Sequence, residues 1–450
     1  MWLSSPAGLV LLFLAGAAVR LVLARGDGHV FDMALFRSWA ERMGDHGPSA
    51  FYPQAGEDFF VDYPPGYLYV LWGVVRVARW VGAETIPAFL LKLPAVLADL
   101  GLAFLVMRLA ERLTPATKGI RGLAAAAVIL NPSVIFVSAV WGQVEAIAAL
   151  FVVGAFLVIG TGPATLRREA AGMALLAVAV GTKPQAAFVL PVVVLVLVYR
   201  HSRSGVLESI GRLVLLGAAG VAAGLLLLAP FGLGPLEAVE FYANAAGTYK
   251  LTSLFAFNLW GVLGSWRPDV GSDALRVFGV PAFAVGLALF SLGASLVMAR
   301  AWRALVKGGL RGRVLVFGSV ALSLVGFVFL TRIHERYLFV PVVLAAALVG
   351  ARPLRRAFTG LSLLYLANLV YPYLHHYRSS GRPDPWWAPI GDAFYGTQSG
   401  DGRQRILSAV TAAFCVLVAW RGWHSLERAS GRNPVEDVER EHAPQVHETA

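Results

Sequence analysis

Residues 210–230 read IGRLVLLGAAGVAAGLLLLAP, and Arg212 is the only charged side chain in this run. A helix that crosses the hydrocarbon core of a bilayer needs about 20 mostly apolar residues. Outward from this run, similar stretches lie near residues 8–24, 89–109, 121–140, 143–160, 170–182, 184–200, 277–299, 314–331, 336–351, 357–374 and 405–422. The sequence therefore predicts an all-α, polytopic membrane helix bundle with about eleven to thirteen transmembrane helices.

The composition excludes an ordinary soluble protein. Of the 450 residues, 57% are hydrophobic and only 14% are charged, and the mean hydropathy is +0.66. Soluble domains are about 45–50% apolar and about 25% charged. The net charge of +11 would suggest nucleic acid in a soluble protein, but here the basic residues lie between apolar runs. We therefore expect contact with membrane lipid and no nucleic acid partner.

Several kinds of site are absent from the sequence. Cys415 is the only cysteine, which excludes an intrachain disulfide bond and a cysteine-based metal site. We find no histidine spacing typical of zinc and no glycine-rich phosphate loop, and we expect neither a metal nor a cofactor. The first apolar run lacks a preceding basic segment and is interrupted by Arg20, so we expect an uncleaved first helix.

The connections between the apolar runs alternate in charge. Short basic segments lie at residues 108–121, 167–168, 200–212, 300–313 and 352–356, whereas the longer loops 25–88, 231–276 and 375–404 are rich in Asp, Tyr, Trp and Pro. Basic segments usually face the cytoplasm. This pattern predicts a multi-pass plasma membrane protein whose long loops are extracytoplasmic. Residues 1–428 are expected to form one transmembrane domain, followed by a disordered cytoplasmic tail at 429–450.

The long first loop is predicted to carry amphipathic helices and two informative carboxylates. Asp32 begins a stretch with apolar residues at helical spacing, where it is either a first-turn residue of a surface helix or a catalytic group. Asp62 precedes Tyr63 and two prolines, which fix a rigid corner before an interfacial helix. The alternative is that Asp62 is only a helix cap.

Other polar groups lie at span junctions that should reach the same membrane face. Gln143 and Glu145 precede one span, and Lys183 and Gln185 flank Pro184 between two others. Ionisable residues at membrane depth are costly and usually line a cavity or a pathway. Residues 331–337 form a dense polar cluster in which Arg332, His334 and Arg336 could hold a phosphate. The alternative for this cluster is a solvated loop between helices.

The order and spacing of these residues resemble the GT-C superfamily of membrane glycosyltransferases, which use polyprenyl-phosphate sugars as donors. The resemblance is closest to the Gpi18-like mannosyltransferases of bacteria and to the α-1,3-glucosyltransferases that use dolichyl-phosphate glucose. It covers most of the chain and is carried by Asp32 with Arg37 and Trp39, Asp62-Tyr63-Pro64-Pro65, Asp99-Leu100, Asn131-Pro132 with Gln143, Lys183 with Gln185, Phe257-Asn258-Leu259-Trp260, and His334-Glu335.

The resemblance implies an inverting glycosyltransferase. It would move a hexose, with mannose favoured, from a polyprenyl-phosphate donor to a glycan or lipid-linked acceptor at the extracytoplasmic face. The implied catalytic pair is Asp32 and Asp62, with Asp32 matching the family's general base, although the sequence does not decide between the two. The implied donor-phosphate set is Lys183, Gln185, Arg332, His334 and Arg336, and the implied substrate-binding set is Arg37, Tyr63, Gln143, Glu145, Asn258 and Trp260.

Two departures from the family pattern leave the donor sugar and the acceptor open. The glucosyltransferases have Gln-Tyr-Asn where this chain has Gln143-Val144-Glu145, and their adjacent Lys-Gln is split here by Pro184. A transporter or lipid flippase is the alternative from another functional class. It should show charges near mid-span and two related halves, whereas the charges here gather at the span ends. A protein-glycosylating enzyme of the same fold is a second alternative.

Overall fold

The computed structural model describes residues 4–52, 58–202, 205–248, 250–263, 274–308, 311–381, 387–396 and 402–430. In these ranges the chain is almost entirely helical. The helices are α1 Pro6–Leu23, α2 Val30–His46, α3 Pro65–Trp80, α4 Ala88–Leu113, α5 Ile120–Ile129, α6 Pro132–Ile135, α7 Glu145–Gly160, α8 Leu166–Thr182, α9 Leu190–His201, α10 Val206–Leu228, α11 Pro235–Thr248, α12 Leu259–Val262, α13 Ala282–Val306, α14 Arg311–Phe329, α15 Phe339–Ala346, α16 Arg352–Ser379, α17 Ala388–Tyr395 and α18 Gly402–Ser430.

Short irregular elements interrupt the helices. Tight 3₁₀ turns occur at Pro48–Ala50, Pro184–Val189, Ala229–Phe231 and Glu335–Leu338, and a π-helical turn occurs at Phe136–Trp141. The strands β1 Arg276–Val277 and β2 Val280–Pro281 pair antiparallel as a small hairpin. Most of the tail predicted from the sequence, residues 431–450, lies outside the described residues.

The prediction of a polytopic helix bundle in the membrane is confirmed. Eight helices in the described part are long and apolar enough to cross a bilayer, and nine if the bent pair Ile120–Ile129 and Pro132–Trp141 counts as one span. This number is smaller than the eleven to thirteen spans predicted from the sequence. The helices α7 and α8 have only 16 and 17 residues, and the run at 336–351 forms a 3₁₀ turn followed by the eight-residue α15. Every residue of α15 is buried, so its apolar character serves the protein core and not the lipid.

Prolines break the chain where the sequence placed junctions. Pro184 has no N–H to continue α8, which ends at Thr182, so two helices form and not one continuous span. The helix α5 ends before Pro132. The side chain of Asn131 caps the next helix, α6, by accepting a hydrogen bond from the N–H of Ser133 at 3.0 Å.

The helices of the first loop pack onto the bundle as predicted for amphipathic elements. In α2 the buried face includes Met33, Phe36, Ala40 and Met43, spaced three or four residues apart. The start of α3 touches the end of α8 closely, because a Cβ atom at Gly66 would lie 2.5 Å from the carbonyl oxygen of Gly181. Glycine is therefore required there, and this contact brings the corner before α3 against the end of α8.

A buried ion pair joins α1 to the rest of the bundle. Arg20 has no exposed surface, and its Nε donates to Oδ2 of Asp99 in α4 at 2.7 Å. Its Nη1 donates to the carbonyl oxygen of Ile129 at 2.8 Å, and the hydroxyl of Ser138 donates to the same Asp99 oxygen at 2.5 Å. The charge that interrupts the first apolar run is thus fully compensated inside the protein.

We expect Arg20→Met to lower the free energy of unfolding by about 3–5 kcal/mol, because it leaves Asp99 buried without its partner. The double variant Arg20→Met with Asp99→Leu should recover much of this loss, since no buried charge remains. Thermal unfolding in detergent measures both effects, and Arg25→Gln, an exposed position just after the same helix, is the matched control. A double variant no more stable than the single one would contradict this account.

Candidate active site

The predicted polar residues meet at one end of the bundle. Glu145 is the first residue of α7, and Lys183 directly follows the last residue of α8. Arg167 and Arg168, in the first turn of α8, lie at the opposite end, roughly 24 Å away along α7 at 1.5 Å per residue. The chemistry-bearing groups and the basic connections are therefore separated by the length of the helices.

Asp32 is buried, with 8% of its surface exposed, and it is held by side chains from the π-helical turn and the residues after it. Its Oδ2 accepts hydrogen bonds from Nε1 of Trp141 at 2.6 Å and from Nε2 of Gln143 at 2.7 Å. The residue that caps α2 is not Asp32 but His29, whose Nδ1 lies 3.2 Å from the same oxygen. The side chain of Asp32 therefore faces the bundle.

The surroundings of Asp32 favour its ionised form. Burial by itself raises the pKa of the Asp32 carboxyl, but the hydrogen bond and charge of His29, the charge of Arg336 and the hydrogen bond of Trp141 outweigh it. The pKa of Asp32 therefore lies well below its ordinary value. Asp32 is a carboxylate at every physiological pH.

Gln143 connects Asp32 to the next polar group. Its Nε2 donates to Asp32, while its Oε1 accepts from the hydroxyl of Tyr63 at 3.1 Å and from Nζ of Lys183 at 3.2 Å. Lys183 also donates to the Tyr63 hydroxyl and lies 4.3 Å from the centre of the Tyr63 ring. The two ends of one amide thus link the carboxylate to the lysine.

Charges of alternating sign continue the network. Oε1 of Glu145 lies 3.0 Å from Nζ of Lys183 and 3.4 Å from Nε of Arg336. Nη1 of Arg336 in turn lies 3.0 Å from Oε1 of Glu335, whose Oε2 is 3.8 Å from Nδ1 of His334. Both carboxylates are almost completely buried, so each is stabilised by the cations beside it.

Burial sets the protonation of the groups at the far end of this network. Burial and the charge of Arg336 lower the pKa of His334 below 6.5, so its imidazole is neutral at pH 7 and donates an N–H without a charge. Burial raises the pKa of Glu335, but Arg336 and His334 outweigh burial and lower it to about 2. Burial lowers the pKa of Lys183, and the Glu145 carboxylate opposes that effect.

A cavity of about 400 Å³ opens beside this network. It is lined by Asp62, Tyr63, Lys183, Pro184, Gln185, Tyr242, Phe283, Leu330, Thr331, Arg332, His334, Arg336 and Tyr337. All five residues predicted to hold a donor phosphate are in this lining, together with Asp62. Asp32 is not in the lining, and it reaches the cavity through Gln143 and Tyr63. Cavities of this size bind small molecules.

The loop after α11 holds the cationic turn in place. The N–H of Leu254 donates to the carbonyl oxygen of Ile333 at 3.0 Å, and that of Arg332 donates to the carbonyl oxygen of Thr252 at 3.2 Å. Arg332 adopts a left-handed backbone conformation with φ 62°, which is uncommon for a residue with a side chain. Its guanidinium lies over the ring of Phe283, 4.8 Å from the ring centre.

Of the six predicted substrate-binding residues, only Tyr63 is in the lining of this cavity. Gln143 and Glu145 belong to the network beside it, and the other three make different contacts. The Nε of Arg37 donates to the carbonyl oxygen of Ile86 at 2.9 Å. Oδ1 of Asn258 accepts from the N–H of Trp260 at 3.1 Å and so caps α12. The indole of Trp260 donates to the carbonyl oxygen of Phe329 at 2.9 Å. These contacts suit bracing of the fold better than binding of a substrate.

Sequence reasoning missed three residues that the structure brings to the site. His29 and Trp141 both contact Asp32, and their rings stack with centres 4.8 Å apart. Tyr337 lines the cavity. The spacing of His29, three residues before Asp32, is a capping signal that could have been used. The contact with Trp141 joins residues 109 positions apart, and the sequence alone carries no sign of it.

No family model matches the chain, and no curated protein matches it. Among solved structures, the apo oligosaccharyltransferase of Archaeoglobus fulgidus is 14% identical, with 97% of this chain and 58% of that chain covered and a TM-score of 0.43. ArnT from Cupriavidus metallidurans bound to undecaprenyl phosphate is 16% identical, with 98% and 82% covered and a TM-score of 0.45. The chain thus spans little more than half the length of the oligosaccharyltransferase.

The lowered pKa of His334 predicts a pH-dependent stability. The unfolded chain takes up a proton at this residue below about pH 6.5, whereas the folded chain resists it, so His334 should lower the stability as the pH falls through this range. His334→Gln should flatten the decline in the thermal midpoint between pH 7 and pH 5. His46→Gln, at an exposed position at the end of α2, is the control. An unchanged pH slope in His334→Gln would contradict the prediction.

Proposed function

We propose that the chain is an inverting glycosyltransferase of the GT-C type that moves a hexose, with mannose favoured, from a polyprenyl-phosphate donor to an acceptor hydroxyl. The observation that carries the proposal is the continuous polar network from Asp32 through Gln143, Lys183 and Glu145 to Arg336. It joins a buried carboxylate to a cavity lined by cations. This combination suits a reaction that removes a proton at one point and stabilises a leaving phosphate at another.

In this mechanism Asp32 is the general base. Its two side-chain donors, from Trp141 and Gln143, both meet Oδ2, Nδ1 of His29 lies 3.2 Å from the same oxygen, and Oδ1 receives no hydrogen bond from the described residues. Oδ1 is therefore available to the acceptor hydroxyl. A carboxylate with a lowered pKa is a weak base, so it takes the proton late, once the new bond to the anomeric carbon has made the hydroxyl acidic. Such proton transfer contributes about 10²–10⁴-fold to the rate.

The reaction is a single displacement. The acceptor oxygen attacks the anomeric carbon, the bond from that carbon to the phosphate oxygen breaks with its electron pair on the phosphate, and the proton of the hydroxyl passes to Asp32. One displacement inverts the anomeric configuration. The leaving group is a phosphate, which is already a stable anion, so it needs neither a proton nor a metal ion.

The phosphate is held by the turn at residues 332–336. Arg332 and Arg336 supply guanidinium groups, and the neutral imidazole of His334 supplies an N–H. Glu145 and Glu335 neutralise Lys183 and Arg336 before the donor arrives. These carboxylates keep the cations in fixed positions, so little reorganisation is needed when negative charge develops on the phosphate. Asp62 lines the same cavity and contacts the sugar hydroxyls.

An apolar groove supplies a path for the polyprenyl tail. A cavity of about 370 Å³ between α8 and α10 is lined almost entirely by apolar residues, and it shares Tyr242 with the polar cavity. Gly181, in the groove, lies two residues before Lys183, in the polar cavity. Val221, in the lining, and Leu226 beside it are 63% and 75% exposed, as expected for a helix that faces lipid. The tail of the donor therefore enters sideways from the bilayer.

The proposed orientation follows the charge of the connections. The basic segments lie at the end of the bundle opposite the cavity, so by the positive-inside rule the cavity is extracytoplasmic and the C-terminal tail is cytoplasmic. The membrane is then the plasma membrane. The acceptor is a glycan or a lipid-linked glycan that approaches from the same side.

The test is incubation of the purified protein with polyprenyl-phosphate mannose and, separately, polyprenyl-phosphate glucose, with measurement of the released polyprenyl phosphate and the product anomer. We expect the mannose donor to be consumed with inversion. Asp32→Asn should lower kcat by about 10²–10⁴-fold with little change in KM. Asp45→Asn, which alters an exposed carboxylate of the same helix, is the matched control.

The same assay distinguishes the roles of the Asp32 and Asp62 carboxylates. Asp62→Asn should raise the KM of the donor more than it lowers kcat, because Asp62 contacts the sugar. If Asp32→Asn turns over normally and Asp62→Asn does not, Asp62 is the base. Consumption of neither donor would remove the basis for the proposed function.

A larger side chain in the groove should weaken the binding of donors with long tails and leave donors with short tails unaffected. Gly224 lines the groove, and a Cβ atom there meets no atom within 4 Å, so Gly224→Leu should fill the groove without disturbing the helix. We expect a higher KM for a long polyprenyl donor and an unchanged KM for a donor with a tail of ten carbons. Gly211→Leu, at an equally open position of the same helix outside the groove, is the control. Equal KM changes for both donors would contradict the prediction.

A further inference from the structure

A second polar cavity lies at the opposite end of the bundle and plays no part in the proposed reaction. It has a volume of about 360 Å³ and is formed by the end of α4, the end of α7 and the start of α8. Its lining consists of Arg108, Arg112, Leu157, Val158, Thr161, Gly162, Pro163 and Arg168. Three guanidinium groups therefore converge on one cavity.

The charge of these arginines is only partly compensated by neighbouring side chains. Nη1 of Arg108 lies 2.9 Å from Oε2 of Glu111, but the other oxygen of Glu111 lies 4.0 Å from Arg121, so one carboxylate serves two arginines. Nη2 of Arg168 donates to the carbonyl oxygen of Val158 at 3.2 Å, whereas its Nε is buried with no hydrogen-bond partner among the described residues. The positive-inside rule explains basic residues at this end, but not their convergence on a cavity.

An apolar stripe leads from the bilayer to this cavity along α4. Leu97 and Phe104 are 58% and 51% exposed, and with Arg108 and Arg112 they follow one another at intervals of seven, four and four residues. Such intervals keep all four side chains on one face of a helix. The face therefore carries apolar groups in the middle of the span and cations at its end, which is the order of groups in a phospholipid.

We propose that this cavity binds the headgroup phosphate of an anionic phospholipid, with the acyl chains lying along Leu97 and Phe104. The phosphodiester accepts hydrogen bonds from the guanidinium groups of Arg108, Arg112 and Arg168. The bound lipid joins the ends of α4 and α8 through the charge that Glu111 leaves uncompensated. This proposal does not depend on the proposed glycosyl transfer.

The test uses the full chain in a neutral detergent, titrated with dioleoyl phosphatidylglycerol or with dioleoyl phosphatidylcholine and examined by native mass spectrometry. We expect one phosphatidylglycerol to bind in preference to phosphatidylcholine. Arg108→Gln with Arg112→Gln should weaken its binding by about tenfold or more. The pair Arg303→Gln with Lys307→Gln removes the same charge at exposed positions of the same end and should have little effect.

Further arms separate a lipid from a soluble anion and from a folding defect. Phe104→Gln should weaken phosphatidylglycerol binding severalfold without removing any charge, and inorganic phosphate at millimolar concentration should not displace the lipid. Arg112→Gln alone, at an exposed position, replaces the double variant if the latter does not fold. Equal binding of the two lipids, equal losses in the two double variants, or displacement by inorganic phosphate would overturn the proposal.

Discussion

The carboxylate of Glu145 is the charge on which the site depends. It is 2% exposed and lies between Lys183 and Arg336, which come from two other parts of the chain. A buried charge of this kind persists only where cations and donors surround it, and removal of a single partner is costly. The position of Glu145 at the start of α7 adds the positive end of the helix dipole. One buried carboxylate thus fixes the relative positions of three segments that are distant in the sequence.

The overall fold was predictable because membrane-spanning helices can be recognised in a sequence by their length and apolar character. The runs that became α10, α13 and α14 are long and mostly apolar, and the breaks at Pro132 and Pro184 are dictated by missing N–H groups. Fewer of the described helices than predicted spans are long and apolar enough to cross a bilayer, in part because the apolar α15 is short and buried inside the protein. Burial inside a protein and exposure to lipid select the same side chains, so hydropathy does not distinguish them.

The candidate site was predictable where a polar residue stands in an apolar setting. Lys183 and Glu145 meet this criterion, and both lie in the network. Asn258 was selected by the family resemblance alone, and its amide caps a short helix. Capping and ligand binding use the same chemical groups. The contact of Trp141 with Asp32 escaped prediction, since an indole in a membrane protein is expected to pack and its N–H partner is set by tertiary structure.

The orientation of the Gln143 side chain determines which side of the site holds the negative charge and which side holds the positive charge. Its amide has a donating end toward Asp32 and an accepting end toward Lys183, and these two ends cannot be exchanged without loss of both hydrogen bonds. The amide therefore acts as a fixed dipole that specifies where an anion and where a cation must stand. A glutamate of the same shape would place two like charges side by side, so the site has a built-in polarity that a single uncharged side chain maintains.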